Sequence, residues 1–402
     1  NKFLTHDELE IYRNIKLENK LKKNVIFQNT SYYNPYLDLI DTKTKSLKTY
    51  MNKDIQYTLY EIATNKLGFL PDDKINIGLI VIDNHTAGIL GIFGNRTANK
   101  KTINNVLVKR HMASTMKPLI DYLPYFEKTT ASPGEVVIDE EYNYSDGTSL
   151  KNWDSIYKGA ISLRQALRES RNIPALKIFK KTSKETKIKT LSRLGLTVPN
   201  NLYEADAIGC GNGLYSLFEI SNAYLAFANN GKFKKASYIL NDDPFLQVIK
   251  PSSAFFINSI LHDVFSKSKF VPKNTYMMAK TGQTNYDKRT ALKYNIPSNA
   301  TKESFVISYT KDITFGCYVG YDKIDSTSYL DRIKTQIPRT IMAYFMNKFQ
   351  TNVGSPDTPS NIEKQKCIIK DNVLYLDESG IYEYFIKDAL PPKYKEYNYI
   401  KI

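Results

Sequence analysis

Ser114 and Lys117 are the first residues whose types and spacing suggest chemistry. They stand three positions apart in MASTMKPLIDY (112–122), where an apolar-periodic stretch begins. Side chains three apart share a helix face, and the N–H groups at a helix start have no partner within the helix. A buried amine near other cations loses its proton more easily, so Lys117 could serve Ser114 as a base. Taken alone, the pair is more simply explained as a serine cap followed by a solvated lysine.

Ser170 and Asn172 form a second motif, the only S-x-N in the chain. It lies in ESRNIPAL, where Pro174 suits the first turn of a following helix, so the motif is predicted to occupy a tight inter-helix turn. Such a turn can project both side chains into a cleft. Ser170 could pass a proton between Lys117 and a leaving group, and Asn172 could hold a substrate amide. Serine and asparagine are also ordinary turn residues, so this motif too is weak alone.

Lys280, Thr281 and Gly282 form the only K-T-G, within MAKTGQTN at the end of an apolar strand. Gly282 has no side chain to block an approaching backbone, so a peptide could align here by strand addition. Lys280 and Thr281 offer a positive charge and a hydroxyl to a carboxylate. The N–H groups of Gln283 and Ser114 could form an oxyanion hole. A plain strand end followed by a turn is the alternative.

The elements that must position these motifs can be predicted from hydrophobic periodicity. INIGLIVIDN and AGILGIFGN predict two strands joined as a hairpin, and TYMMAKTG, SFVISYT and ITFGCYVGYD predict three more. Between the two groups, residues 114–265 carry mainly helical patterns, and RTIMAYFMNKF predicts a closing helix. We therefore expect an α/β fold: an antiparallel sheet flanked by helices, with an all-helical subdomain.

The composition argues against several classes of protein. Lys and Arg outnumber Asp and Glu by 56 to 41, but no window combines them with aromatic residues as nucleic-acid modules do, so we expect no nucleic-acid partner. Three cysteines without C-x-x-C and four scattered histidines predict no metal site. No apolar stretch approaches the roughly 20 residues that span a bilayer.

The three motifs together resemble the transpeptidase domain of penicillin-binding proteins. They occur in the order S-x-x-K, S-x-N and K-T-G, a set typical of penicillin-binding proteins and β-lactamases. Longer segments are similar to the bifunctional class A type: TYMNKDIQYTLYEIA, LIVIDNHTAGILGIFGN, SLRQALRESRNIPA, EISNAYLAFANNGKF and EYFIKDALPPK. The resemblance covers roughly residues 48–395 and implies the penicillin-binding/β-lactamase-like transpeptidase fold.

The resemblance also implies a domain organisation. Residues 1–47 look like the linker that follows a glycosyltransferase domain in class A members, residues 48–350 like the transpeptidase domain, and residues 351–402 like a linker with a small C-terminal β tail. It further implies a membrane anchor outside this sequence, a location on the outer face of the bacterial cytoplasmic membrane, and contact with cell-wall assembly proteins.

The reaction implied by the resemblance is D,D-transpeptidation of peptidoglycan stem peptides, which β-lactam antibiotics inhibit. Ser114 would attack the penultimate carbonyl of a D-Ala-D-Ala donor with Lys117 as base. Ser170 and Lys280 would relay the proton to the departing D-alanine, and an amine of a neighbouring stem would take the acyl group. No metal or organic cofactor is required.

Substrate binding is implied for Asn172, which would hold an amide, and for the strand from Thr281 to Thr284, including Gly282 and Gln283. Thr281 and Thr284 would hold the terminal carboxylate. Two residues depart from the class A pattern: Ala113 stands where Gly usually precedes the nucleophile, and Gln283 where Thr usually follows K-T-G. The second departure puts tight β-lactam binding in question.

Three other functions remain open from the sequence. The first is a D,D-carboxypeptidase or β-lactamase, in which water accepts the acyl group. The second is a non-catalytic module that binds wall peptides and forms no covalent adduct with penicillin. A nucleic-acid binder, the third, would show a steep salt dependence of its DNA affinity.

Overall fold

The structure, a computed structural model, describes residues 48–96, 103–266 and 268–394. The predicted linker at residues 1–47 lies outside the described residues. The strands are β1 Ile75–Asp83, β2 Ile89–Phe93, β3 Val136–Asp139, β4 Tyr142–Asn143, β5 Ser149–Leu150, β6 Gly159–Ser162, β7 Lys232–Phe233, β8 Leu246–Gln247, β9 Met278–Asn285, β10 Thr301–Tyr309, β11 Ile313–Tyr321, β12 Ile362–Lys370, β13 Val373–Leu376 and β14 Ile381–Ile386.

Helices account for much of the remaining described chain. The α-helices are α1 Lys53–Ala63, α2 Leu123–Lys128, α3 Leu163–Arg168, α4 Asn172–Lys180, α5 Lys184–Arg193, α6 Leu217–Ala228, α7 Pro251–Asp263, α8 Lys288–Lys293 and α9 Ile337–Phe349. Short 3-10 helices occur at Ala113–Thr115, Glu204–Ile208 and Lys334–Gln336, and a π-helical turn at Pro118–Tyr122.

A five-stranded sheet with the order β2-β1-β11-β10-β9 forms the centre of the fold. Every neighbouring pair is antiparallel, and β1 pairs with β11 over its whole length, from Ile75 opposite Tyr321 to Asp83 opposite Ile313. The hairpin from the start of the chain thus joins the strands that follow the helical region, which confirms the predicted antiparallel sheet. Strand β9, with the K-T-G motif, lies at one edge.

Both faces of the sheet are buried, each in its own hydrophobic core. Side chains alternate between the two faces along a strand. Leu79 and Val81 accordingly lie in the core shared with α1 and α9, whereas Ile80 and Ile82 lie in the core shared with the helical region. Burial on both faces explains why β1 has a nearly continuous apolar sequence. The fold therefore has three layers, in the order helix, sheet, helix.

The region between β2 and β9 is mainly helical, but it also contains three two-stranded ribbons. These pair β3 with β6, β4 with β5, and β7 with β8. Each of these strands has only two to four residues. Such short segments show no alternating pattern long enough to read from sequence, so the ribbons did not appear in the predicted all-helical subdomain.

A small sheet with the order β13-β12-β14 follows the main sheet and packs on the helical region. Arg164 of α3 forms its main polar anchor. The guanidinium donates to both carboxylate oxygens of Glu383 in β14, at 2.7 and 2.6 Å, and to Asp263 of α7 at 2.7 Å. Glu383 is 3% exposed, so this charge pair is almost fully removed from water.

Strand β9 packs closely against the turn that carries Ser114, and Gly282 is the point of contact. A Cβ at Gly282 would lie 2.9 Å from the Met112 carbonyl oxygen and 3.1 Å from Cγ2 of Thr115. The absence of a side chain at Gly282 therefore lets the Ser114 turn of the chain itself pack against this strand.

Substituting Gly282→Ala should lower the free energy of unfolding by about 1–3 kcal/mol, because the new methyl overpacks this contact. Gly354→Ala is the matched control: nothing lies within 4 Å of its Cβ position, so its stability should be unchanged or slightly higher. Urea unfolding of the two variants and the parent measures the difference. Equal stability of both variants would contradict the packing role.

Substituting Glu383→Gln should lower the free energy of unfolding by about 2 kcal/mol, because a buried guanidinium loses a charged acceptor while keeping Asp263. Glu378→Gln is the control, since the Glu378 side chain is 95% exposed and lies 3.6 Å from Lys366. Its cost should stay below about 0.5 kcal/mol. Thermal or urea unfolding distinguishes the two, and similar costs would refute the anchoring role of Glu383.

Candidate active site

Ser114 lies in the middle of the 3-10 turn Ala113–Thr115 and remains partly exposed, while both of its neighbours in the turn are buried. Ala113 has φ +48°, in the left-handed region that normally favours glycine. Its N–H donates to the Gly209 carbonyl at 3.1 Å, and a Cβ at Gly209 would lie 2.0 Å from the Ala113 oxygen. The turn is thus fixed in a strained conformation by a close backbone contact.

Lys117 is completely buried three residues after Ser114. Its Nζ donates to the carbonyl oxygens of Ser170 at 2.7 Å and Arg171 at 3.2 Å, and to Oδ1 of Asn172 at 2.7 Å. Burial lowers the pKa of Lys117 to about 7; Arg171 pushes in the same direction, while Asp121 opposes it. A lysine in this position can lose its proton near neutral pH.

Lys117, predicted to serve Ser114 as a base, makes no hydrogen bond to Ser114 in the described part of the chain. The three N–H groups of the amine point instead to the turn that carries the S-x-N motif. Three acceptors suit an ammonium group, whereas a neutral amine has two N–H groups and one lone pair. Deprotonation of Lys117 therefore frees one position on its nitrogen.

Ser170 connects the two lysines of the site. Its carbonyl accepts from Lys117, and its Oγ accepts from Lys280 Nζ at 2.8 Å. Lys280 is 2% exposed, and burial, reinforced by the charge of Lys117, holds its pKa well below the usual value. Ser170 has φ +58°, so this residue too adopts the left-handed conformation. Lys117, Ser170 and Lys280 thus form one hydrogen-bonded set.

Asn172 begins α4, and its amide is already engaged at both ends. Oδ1 accepts from Lys117, and Nδ2 donates to the Lys151 carbonyl at 2.8 Å. An asparagine amide has two N–H groups and two oxygen lone pairs, so each end keeps one site for a substrate amide.

A buried set of ion pairs, which the sequence did not indicate, stabilises the turn that carries Ser170 and Asn172. Arg171 is fully buried, and its Nε donates to Asp139 at 2.9 Å while Nη1 donates to Asp154 at 2.6 Å. Asn152 accepts from the Asn172 N–H at 2.8 Å and donates to Asp139 at 2.8 Å. The only local signal was the position of Arg171 between Ser170 and Asn172.

The residues after Lys280 divide between the two faces of β9. Thr281 is partly buried and Gln283 is exposed. The two side chains share one face of the strand, because side chains alternate between its faces. Thr284 lies on the other face, 7% exposed, and its hydroxyl donates to Glu303 of β10 at 2.8 Å. The expected carboxylate-binding role of Thr284 is therefore corrected: its hydroxyl is buried and already donated.

No group of His, Cys, Asp and Glu side chains in residues 48–96, 103–266 and 268–394 is arranged to hold a metal ion. No helix of that part of the chain is long and apolar enough to cross a membrane. Cys210, Cys317 and Cys367 are free thiols.

Curated relatives of the chain are penicillin-binding proteins. Penicillin-binding protein 1A/1B of Bacillus subtilis is 28% identical over 385 residues, covering 88% of this chain and 41% of the relative. Penicillin-binding protein 1A of Streptococcus pneumoniae is 27% identical over 339 residues, covering 76% of this chain and 46% of the relative. The chain thus spans less than half the length of these two relatives.

Solved structures share the fold. Penicillin-binding protein 1A of Haemophilus influenzae superposes with a TM-score of 0.65 at 20% identity, covering 80% of this chain and 54% of that one. PonA1 of Mycobacterium tuberculosis, determined with penicillin V, gives a TM-score of 0.64 at 16% identity, covering 78% and 88% of the two chains. The sequence model of the penicillin-binding protein transpeptidase domain matches residues 77–343, which is more than half of the chain. The chain therefore belongs to the penicillin-binding protein transpeptidase family.

Proposed function

We propose that the protein is a serine D,D-transpeptidase that cross-links peptidoglycan stem peptides through an acyl-enzyme on Ser114. One observation carries the proposal: Lys117, Ser170 and Lys280 form a continuous hydrogen-bonded set beside the Ser114 turn. Membership of the family and the class A relatives support the same reaction. Splitting an amide exchange into two steps through an ester is covalent catalysis.

In the first step the Ser114 oxygen attacks the penultimate D-alanine carbonyl and its proton passes to Lys117. A neutral Lys117 keeps two of its three acceptors and turns its lone pair toward Ser114. The protonated amine has all three N–H groups bonded, so it makes no hydrogen bond to Ser114. The C–N bond then breaks, and Ser170 and Lys280 deliver a proton to the leaving D-alanine amine. An amine of a second stem peptide finally attacks the ester carbonyl and forms the new amide; the C–O bond to Ser114 breaks, and the proton that the amine loses returns to the Ser114 oxygen.

Substrate recognition falls to the free edge of β9 and to Asn172. Lys280 and Thr281 supply charge and a hydroxyl for the terminal carboxylate, with the exposed Gln283 beside them. The N–H groups of Ser114 and Gln283 stabilise the oxyanion. Asn172 uses its remaining N–H and lone pair for a substrate amide.

The cellular setting belongs to the same proposal. A donor ending in D-Ala-D-Ala and an amine acceptor are found in the cell wall, so this domain acts on the outer face of the bacterial cytoplasmic membrane. The class A relatives support an attachment to the membrane and contacts with other wall-assembly proteins. β-Lactams would act as substrate mimics that acylate Ser114.

Substituting Ser114→Ala should abolish covalent labelling by a fluorescent penicillin while leaving the unfolding curve nearly unchanged, since one partly exposed hydroxyl contributes little to stability. Ser266→Ala is the control, because Ser266 and Lys269 have the same S-x-x-K spacing and Ser266 is exposed. It should label like the parent. Intact-mass detection of a drug adduct on the Ser114→Ala protein, or no adduct on the parent, would refute the proposal.

Substituting Gln283→Thr should raise the second-order rate of acylation by penicillins about tenfold. A threonine hydroxyl donates to the drug carboxylate close to the strand, and such a bond contributes roughly 1.5–3 kcal/mol, part of which the Gln amide already supplies. Asn285→Thr, on the same face two residues later, should have no effect. Stopped-flow acylation by one drug compares the proteins. Equal rates, or slower acylation of the Gln283→Thr protein, would show that Gln283 does not limit drug binding.

A further inference from the structure

A cavity of about 200 Å³ lies where the end of α2, the start of α7 and the small sheet β13-β12-β14 meet. The residues that line it include Phe126, Lys250, Ser253, Phe256 and Ile386. None of these residues belongs to the proposed transpeptidase site. Engineered cavities of about 150 Å³ can hold a benzene molecule, so this cavity has room for a small organic ligand.

The start of α7, a helix of 13 residues, borders the cavity. The first N–H groups of a helix have no acceptor within the helix, and they give this end a partial positive charge. No side chain caps α7, and Pro251 at its first position has no N–H. The next two residues, Ser252 and Ser253, both line the cavity. Hydrogen-bond donors of this helix end therefore lie at the cavity wall.

Ser253 points to a ligand independently of the helix end. It is 1% exposed, and its Oγ has no hydrogen-bond partner among the described residues. Buried hydroxyl groups are normally hydrogen-bonded, and an unbonded one is costly. Because Ser253 lines the cavity, a ligand bound there can accept a hydrogen bond from this hydroxyl.

Lys250 adds a full positive charge to the cavity wall. Its Nζ donates to the carbonyl oxygen of Glu127 at 2.6 Å, and its backbone N–H donates to the Glu127 carboxylate at 2.8 Å. An ammonium group has three N–H groups, so two remain for other acceptors. Glu127 does not line the cavity, and among the described residues no other acidic side chain does. The wall therefore favours a ligand with a negative charge.

Apolar side chains line another part of the cavity. Phe126 comes from α2, Phe256 from α7 and Ile386 from the end of β14. The rings of Phe126 and Phe256 pack edge to face, with centroids 5.5 Å apart. A bare inorganic ion would lose its hydration against these side chains at a high cost. An organic anion with an apolar body matches both parts of the wall.

We propose that this cavity binds a small carboxylate with a short apolar body. The carboxylate accepts from the Ser253 hydroxyl and from N–H groups at the start of α7, close to the charge of Lys250. The apolar body packs against Phe126, Phe256 and Ile386. A bound ligand thus touches α2, α7 and the small sheet, and it stabilises their junction. The site uses none of the residues of the proposed transpeptidase reaction, and its occupancy does not depend on that reaction.

Benzoate and benzamide are suitable probes, because they have nearly the same shape and differ in charge. In ligand-observed NMR titrations, the parent protein should bind benzoate about tenfold more tightly than benzamide, since hydrogen bonds to a charged group are stronger. Ser253→Ala should weaken benzoate binding about tenfold, because one such bond is lost. Ser192→Ala is the control: it removes an exposed hydroxyl from α5 and should bind benzoate like the parent.

The stability of Ser253→Ala without benzoate gives a second measurement. The variant should be at least as stable as the parent, because the hydroxyl has no hydrogen bond to lose and alanine favours a helix. Urea unfolding measures this difference. A less stable or unfolded Ser253→Ala protein would show that the fold itself uses the hydroxyl, and this result would overturn the proposal.

The titrations can contradict the proposal in three ways. These are no binding of benzoate by the parent, equal affinities for benzoate and benzamide, and unchanged benzoate binding by Ser253→Ala. Inorganic phosphate tests the class of ligand. Phosphate binding that depends on Ser253, without binding of benzoate, would show a site for a bare anion and would overturn the assignment of an organic acid.

Discussion

Two lysine amines, those of Lys117 and Lys280, lie buried on either side of one turn, and much of the surrounding structure makes that burial possible. A buried ammonium is tolerated only where acceptors replace the lost water. Lys117 has three acceptors and Lys280 has two, and most of them belong to the backbone of the same turn and strand. The burial that would otherwise destabilise the fold is also what lowers the pKa of both amines toward a useful range.

The acceptors serve this purpose only if the turn that bears them cannot move. Arg171, in the middle of the turn, is held by Asp139 and Asp154, which come from different segments of the helical region. Loss of one partner would leave an uncompensated buried charge, so the pairing is stable only as a complete set. This rigidity fixes the carbonyl oxygens that face Lys117, and it links strand β3 to the start of α4.

The sequence by itself determined the main strands and helices of the fold. Hydrophobic periodicity is a local property, so it predicted the antiparallel sheet, the helices around Ser170 and the closing helix α9. The three motifs were predicted at a helix start, an inter-helix turn and a strand end; the first two lie on such elements, whereas K-T-G lies inside β9, which continues to Asn285. Ribbons of two to four residues escaped prediction because they are too short to show a period.

Only the tertiary structure decided the chemistry of individual side chains, because it depends on groups distant in sequence. The three N–H groups of Lys117 point to residues 53 to 55 positions later, not to Ser114. The buried partner of Thr284 is Glu303 on the adjacent strand, and pairing with that strand sets which face each residue occupies. The complete burial of Asp121, whose carboxyl has no hydrogen-bond partner among the described residues, is likewise invisible in the spacing of the sequence.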